Sequence, residues 1–410
     1  TADDGADHPR HTLRVRGEAQ DGQAREFRAL ATQLSESLSE CAAEMSGLCA
    51  ALEEASWSAG GGVDTGSGDA RKDGEMIRAL ALESRRVAVG LASAARTVCD
   101  VASAPDADMV YWLELDGGEP ARLTFRAAPI NPGMLLREKL LDRLRSAVFT
   151  SATLTVNGSF DYMKSRLGLS EAPDGAVLCE SIGSPFDYSR QAVVCVPTWM
   201  PSPKADERGF CGAVERAVLR LAEVTRGRML VLFTSHRMLR AVYRNTKAAM
   251  EATGICLLAQ GMDGSRTRLI EELRDNPDTV VFGSQSFWEG IDVAGPALSC
   301  VTIVKLPFAR PDDPLVQARM ERLAADGVNP FTGFLVPDAV LRFKQGFGRL
   351  VRSKTDRGAV VVFDKRVLPG YSPYGSKFLE SLPGPSVVSG EEEELLETLR
   401  EWLPAAGCRG

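Results

Sequence analysis

The chain has 410 residues, of which 44% are hydrophobic and 25% charged, with a formal net charge of −7. This composition is ordinary for a globular protein of two or three domains, and the charge argues against a wholly basic nucleic-acid coat while leaving room for a local basic groove. No apolar run approaches the roughly 20 residues of a membrane helix, and the opening "TADDGADHPRHTLRVR" has no signal-peptide pattern.

Residues 20–57 and 73–102, rich in Ala, Leu, Glu and Arg, predict two helices. The glycine-rich "SAGGGVDTGSGDARKDGE" between them is a flexible connector, so an antiparallel pair or small bundle is expected. "DADMVYWLELDGGEPARLTFRAAPI" predicts a β-hairpin turning at "DGGEP". A helix over 134–145 then leads to the apolar "SAVFTSATL", which predicts a strand.

After about residue 180 the pattern changes. "MLVLFTS", "ICLLAQ", "TVVFGS", "SCVTIVKL" and "GAVVVFD" are short, continuous and β-branched, as strands buried on both faces of a parallel sheet require. Amphipathic helices lie between them. The expected fold class is α/β, an open doubly wound domain that binds ligands at the carboxyl ends of its strands. Polar residues follow the strands there: Ser235, His236 and Arg237; Gln260; Ser284 and Gln285; Asp364 and Lys365.

The nine cysteines form no CxxC pair, and several sit inside apolar runs such as "AVVCVP" and "LSCVTIV". They read as small buried hydrophobes in a reducing compartment. Three scattered histidines complete a set that predicts no metal site in this chain.

"FKQGFGRLVRS" (343–353) places two glycines in what reads as a helix, each costing about 1 kcal/mol relative to alanine. At 100° per residue, Gln345, Arg349 and Arg352 share a stripe, with Arg342 and Gly348 beside it. Val340, Phe343, Phe347, Leu350 and Val351 fall opposite. Arginine offers a planar fork to phosphate, and a glycine leaves room for close approach. Two readings stand on these residues: an anion site for a nucleotide phosphate, or a solvated basic face on an ordinary amphipathic helix.

Five stretches then appear in order: "TSATL" (150–154), "VLFTSHRMLRAVY" (231–243), "VVFGSQSFWEGIDV" (280–293), "IVKLPFARPDDPL" (303–315) and "QGFGRLVR" (345–352). Together they resemble the C-terminal half of a DinG-type DNA helicase, in the XPD-like branch of superfamily 2; "GSFDYMKSRLGL" and "SPFDYSRQA" are similar to that family as well. The resemblance covers roughly 105–385 and implies two RecA-like lobes, ATP between them and single-stranded or forked DNA across their surfaces. It divides the chain into a helical arch-like region (1–102), the tail of a first RecA-like lobe (103–180) and a second lobe (181–410).

Carried over residue by residue, the resemblance makes Gln345, Arg349 and Arg352 the catalytic group that meets the triphosphate. It sets Glu289, Gly290, Asp292 and Gly348 at the ATP cleft. Ser235, Arg237, Ser284, Gln285, Trp288 and Lys305 would face DNA, and Ser151 and Thr153 would couple the lobes. Several of these residues keep a plainer reading: Ser235 as a helix cap, Lys305 as a solvated lysine, and Phe287 and Trp288 as aromatics buried against the sheet rather than stacked on bases.

The chain has no GxxxxGK[ST] phosphate loop and no DEAH or DExH box. In the family both precede the arch, as do the iron–sulfur cysteines where present. The expectation is therefore the C-terminal portion of a longer, cytoplasmic, nucleoid-associated ATP-dependent helicase, implied to move 5′ to 3′ and inactive as this piece alone. Ligands for Mg²⁺, and any iron–sulfur cluster, would belong to the absent part. The alternative is a non-hydrolysing module that binds single-stranded nucleic acid. A nicotinamide-dependent Rossmann enzyme fits poorly, because no GxGxxG follows a first strand.

Overall fold

The computed structural model describes residues 10–16, 22–60, 68–117, 120–288 and 297–403. Contacts divide the chain into two compact units, one holding 6–131 with 312–319 and the other 132–311 with 320–410.

The first unit contains β1 (Arg10–Val15), α1 (Gly22–Gly60), α2 (Gly68–Ser103), β2 (Met109–Asp116) and β3 (Arg122–Pro129). The two long helices run antiparallel. Ser35 Oγ donates to the Ala95 carbonyl at 2.9 Å, Cys49 Sγ to the Ala81 carbonyl at 3.3 Å, and Arg78 Nε to Ser56 Oγ at 3.1 Å. The buried seam is made of small residues, with Ala42, Cys49 and Ser56 on one helix and Ala81, Ala88 and Ala95 on the other. Their heptad spacing keeps one face turned to the partner helix, and the short side chains let the backbones approach. The predicted hairpin is β2–β3, paired from Asp116↔Arg122 to Met109↔Pro129, and β1 adds an unforeseen third strand along β2. Val101, Tyr111 and Leu113 join α2 to this sheet in one apolar cluster.

The second unit begins with three short helices, α3 (Pro132–Lys139), α4 (Asp161–Arg166) and α5 (Tyr188–Gln191). Then come β4 (Ala192–Pro197), α6 (Glu207–Thr225), β5 (Met229–Leu232), α7 (His236–Ala252), β6 (Cys256–Ala259), α8 (Arg266–Asp275), β7 (Thr279–Gly283) and α9 (Gln285–Trp288). The chain continues through β8 (Cys300–Ile303), α10 (Pro314–Ala325), α11 (Val336–Phe347), β9 (Gly358–Val362), α12 (Ser376–Glu380), β10 (Ser386–Gly390) and α13 (Glu392–Trp402). A seven-stranded sheet of order β10-β4-β9-β8-β5-β7-β6 forms, with every pairing parallel. Every residue of β4, β5, β7, β8 and β9 is buried, because helices cover both faces. One face packs Phe210, Leu239 and Phe282, and the other packs Trp288, Phe343 and Phe378. This is the expected doubly wound α/β architecture.

Two expectations fail locally. "SAVFTSATL" is not a strand: Val148 is 85% exposed and Phe149 41%. A strand needs a neighbour for its ladder, and among the described residues none lies beside this segment. The helix expected over 134–145 ends at Lys139 and is followed by a 3₁₀ turn, Leu141–Arg143.

The described cysteines are all unpaired, and Cys408 lies outside the described residues. Burial pushes the thiols of Cys195 and Cys300 up to about 12. A folded pKa above the unfolded one means that the stability carried by these protonated thiols is complete below the ordinary thiol range and is lost as pH rises through about 12. Iodoacetamide at about pH 8 should therefore label the exposed Cys41, Cys99 and Cys179 in the native chain and spare Cys195 and Cys300 until denaturant is added. Peptide mass spectrometry reads the difference, and equal labelling would mean the sheet is open.

Candidate functional site

Parallel strands bring the polar residues that follow them to one edge. Along the strand order, Thr198 follows β4, Asp364 and Lys365 follow β9, and Lys305 follows β8. Ser235, His236 and Arg237 follow β5, Ser284 follows β7, and Gln260 follows β6. Two hydrogen-bonded networks hold this edge.

The first network centres on Ser284, which is buried. Its hydroxyl donates to Gln260 Oε1 at 2.8 Å and lies 3.2 Å from His236 Nε2. Its backbone N–H donates to the same Gln260 oxygen at 2.9 Å, and Gln260 Nε2 donates to Ser286 Oγ at 2.9 Å. Asp263 braces the loop behind Gln260, accepting from the Ala259 N–H at 2.8 Å and from the Tyr243 hydroxyl at 2.9 Å, while Lys247 bonds both Tyr243 and Asp263. Ser284 is thus committed to tying β7 to β6 and to the start of α7, and its hydroxyl is spent inside the protein rather than on a phosphate. Ser235 caps α7, accepting from the Met238 N–H at 3.4 Å. Arg237 is 81% exposed and reaches Glu207 at 2.7 Å. Exposed pairs of this kind contribute little, so the guanidinium can be exchanged to another anion at small cost.

The second network centres on Asp364, whose carboxylate is fully buried. It accepts from Arg366 Nε at 2.8 Å and Nη2 at 2.5 Å, and from the Leu306 N–H at 3.1 Å. The bidentate fork satisfies a buried charge that would otherwise be costly, and it holds the Arg366 guanidinium in its cationic form. The Leu306 bond fixes the loop that carries Lys305. That lysine is half-buried, with Nζ 5.4 Å from the Phe210 ring centroid. Burial pushes its pKa down, and Glu207 and Asp364 pull it back up. Lys365 Nζ donates to the Thr198 carbonyl at 3.3 Å.

The arginine stretch departs from the helical stripe. α11 stops at Phe347, and the Gly348 N–H closes the last turn on the Lys344 carbonyl at 2.9 Å. Arg349 and Arg352 therefore sit in a connecting loop rather than on a helix face. Arg349 Nε donates to the Trp288 carbonyl at 3.2 Å. Asp356 accepts from the N–H groups of Arg352 at 2.8 Å and Ser353 at 2.9 Å, and from Ser353 Oγ at 2.7 Å. Gln191, itself buried, ties the loop to the start of β4, with Nε2 donating to the carbonyls of Ser353 at 2.9 Å and Asp356 at 2.8 Å. Gln345 Oε1 is buried and accepts no hydrogen bond among the described residues.

The two glycines have different reasons from those expected. A Cβ at Gly346 would lie 2.9 and 3.0 Å from ring atoms of Trp288, so this glycine makes room for the indole, not for a ligand. Gly348 is the exposed C-cap. Phe287 and Trp288 are 1% and 3% exposed, which settles their two readings in favour of burial and removes Trp288 as a stacking platform. Ser151 and Thr153 bond each other, with hydroxyl oxygens 3.2 Å apart. Glu289, Gly290 and Asp292, and the side chain of Gln285, lie outside the described residues. Gln191, Asp356, Gln260 and Asp364 do most of the bracing. "SKTD" carries a local signal for the Asp356 turn, but nothing local marks Gln191.

Residues 218–384 match the helicase C-terminal domain family. The chain is 39% identical over 319 residues to the 3′-5′ exonuclease DinG of Bacillus subtilis, covering 77% of this chain and 34% of that protein. It is 38% identical over 275 residues to the ATP-dependent DNA helicase YoaA of Escherichia coli, covering 67% and 40%. To the ATP-dependent helicase DinG of Mycobacterium tuberculosis it is 39% identical over 293 residues, covering 71% and 43%. The chain thus spans well under half the length of these curated relatives. A solved XPD helicase shares the fold at a TM-score of 0.50 and 17% identity, covering 93% of this chain and 65% of that one.

Gly346→Ala tests the indole seat. Overpacking a rigid core costs about 1–3 kcal/mol, against a helix-propensity gain of about 1 kcal/mol. The melting temperature should fall, and a rise on calorimetry would show that Trp288 is not held against α11.

Proposed function

We propose, from a chain that carries a helicase C-terminal domain and resembles the C-terminal part of a DinG-type, XPD-like helicase, that it forms the second motor lobe of an ATP-dependent DNA helicase. In this reading Arg349 and Arg352 meet the triphosphate, with Gln345 beside them. The supporting observation is the braced loop. A solvated basic face needs no scaffold, whereas here Asp356 and Gln191 fix the backbone of Arg352 and the Trp288 carbonyl holds Arg349. Phosphoryl transfer is accelerated by cations placed where charge develops on the phosphate oxygens, and arginines carried on a braced backbone need less reorganisation to supply that. Glu289, Gly290, Asp292 and Gly348 are assigned to the same cleft by resemblance.

ATP is the substrate, carried with Mg²⁺. Among the described residues no group of three or more His, Cys, Asp or Glu side chains lies together as a metal site.

DNA is assigned to the carboxyl edge, with Arg237 and Lys305 as the phosphate contacts and Ser235 and the amides of α7 beside them. Ser284 and Gln285 support that edge from β7. Ser151 and Thr153 belong to the coupling segment. Single-stranded or forked DNA as substrate, 5′ to 3′ movement and a place at the nucleoid belong to the same proposal. Among the described residues no helix is long and apolar enough to cross a membrane.

In the complete protein that contains this chain, Arg352→Ala should lower DNA-stimulated ATP hydrolysis by about 10³-fold with an unchanged thermal melt. Normal hydrolysis in that variant would refute the finger role, and tight DNA binding without any hydrolysis in the wild type would favour the non-hydrolysing module. Arg237→Ala should weaken single-stranded DNA binding evenly across sequences and lower the slope of log affinity against log salt by about 1; an unchanged slope would move the DNA path off this edge.

A further inference from the structure

Lys344 is half-buried on α11, one residue before Gln345, and no carboxylate among the described residues pairs with it. Its Nζ donates to the Thr155 carbonyl at 3.0 Å and to the Thr155 hydroxyl at 3.4 Å. Burial alone pushes its pKa down. A half-buried ammonium held by a backbone carbonyl is an unusual choice for packing, where Leu or Met would serve at lower desolvation cost.

The acceptor is built to stay in place. Thr155 is followed by a tight turn in which Val156 and Ser159 exchange backbone hydrogen bonds at 3.0 Å. Asn157 (φ 49°) and Gly158 (φ 79°) occupy its corner, the residue pair that such turns favour. Val156 packs into the apolar cluster that holds Trp288, Phe343 and Phe347. On the other side of Thr155 lie Thr153 and the exposed Ser151, which are bonded to each other. The segment therefore has one firm end, and Lys344 grips that end from the helix that leads into the arginine loop.

We infer that Lys344 is a positioning residue that fastens the Ser151–Thr155 segment to α11, so that displacement of this segment is transmitted to Gln345 and the arginine loop. The inference rests on the reading of that loop as nucleotide-facing. Lys344 touches no reacting atom in it. Its function is to keep two motifs, nearly two hundred residues apart in the chain, in fixed register.

The test uses Lys344→Met, which keeps the length of the stem, and Lys344→Arg, which keeps a cationic donor. Without nucleotide or DNA, amide hydrogen exchange of residues 151–156 in the complete protein should quicken about tenfold in K344M, the loss expected for one charge-assisted bond. Amides of β5, β7 and β8 should hold their rates, and K344R should restore slow exchange. With nucleotide, K344M should reduce the stimulation of ATP hydrolysis by single-stranded DNA several-fold, and K344R should recover it. Unchanged exchange at 151–156, equal loosening of the sheet strands, or full DNA stimulation in K344M would each overturn the inference. Should the wild type show no DNA-stimulated hydrolysis, the helicase reading fails, and the exchange result still decides whether Lys344 fastens the segment.

Discussion

The indole of Trp288 occupies the space that Gly346 leaves open on α11, and the arginine loop depends on that contact. With any side chain at 346, helix and ring could not both stay where they are. The ring is the firmer partner, since it is buried in the cluster shared with Phe287, Phe343 and Phe347. Phe287 is seated in turn by Gly283, where a Cβ would lie 2.4 Å from its ring. Two glycines on different elements thus accept two consecutive aromatics, and the backbone between them is immobilised. The Trp288 carbonyl then becomes a fixed acceptor for Arg349 Nε at 3.2 Å. Van der Waals fit in the core is converted into the direction of a guanidinium at the surface.

This explains which parts could be read from sequence. β5, β7, β8 and β9 were legible because a strand buried on both faces must be apolar without interruption, and only a covered parallel sheet asks for that. β10 was not, since Ser386–Gly390 lies at the sheet margin and its residues are only partly covered. "SAVFTSATL" carries the same local signal as a true strand, but a ladder also needs a partner, which no window of residues can report. The stripe of Gln345, Arg349 and Arg352 failed for a related reason. Periodicity at 100° assumes that the helix continues, while Gly348 ends it. Composition of the stretch was readable there, whereas the end of its helix was not.

The same limit applies to the polar edge. Ser284 and Arg237 both read as polar residues after strands, yet their environments differ. Ser284 is spent on Gln260 and His236 inside the protein, while Arg237 pairs with an exposed Glu207. A sequence lists donors but not whether they are already used. Only the strand order, which sets β6 beside β7 and β7 beside β5, shows that Gln260 and His236 converge on one serine.

Asp364 shows how a buried carboxylate can serve a cation that it does not neutralise. Its charge is matched at hydrogen-bond distance by the Arg366 fork, while Lys305 lies within its field and forms no ion pair with it. One of its oxygens also accepts from Leu306, which fixes the backbone next to that lysine. Lys305 is thereby set in position, while partial burial lowers its pKa and makes it poorly hydrated. A weakly hydrated, pre-positioned ammonium loses less on meeting a phosphate than a free surface lysine does, because ordering and part of the desolvation are already complete. The placement of Arg366, two residues along the chain from Asp364, gives that carboxylate a bidentate partner other than the lysine after β8.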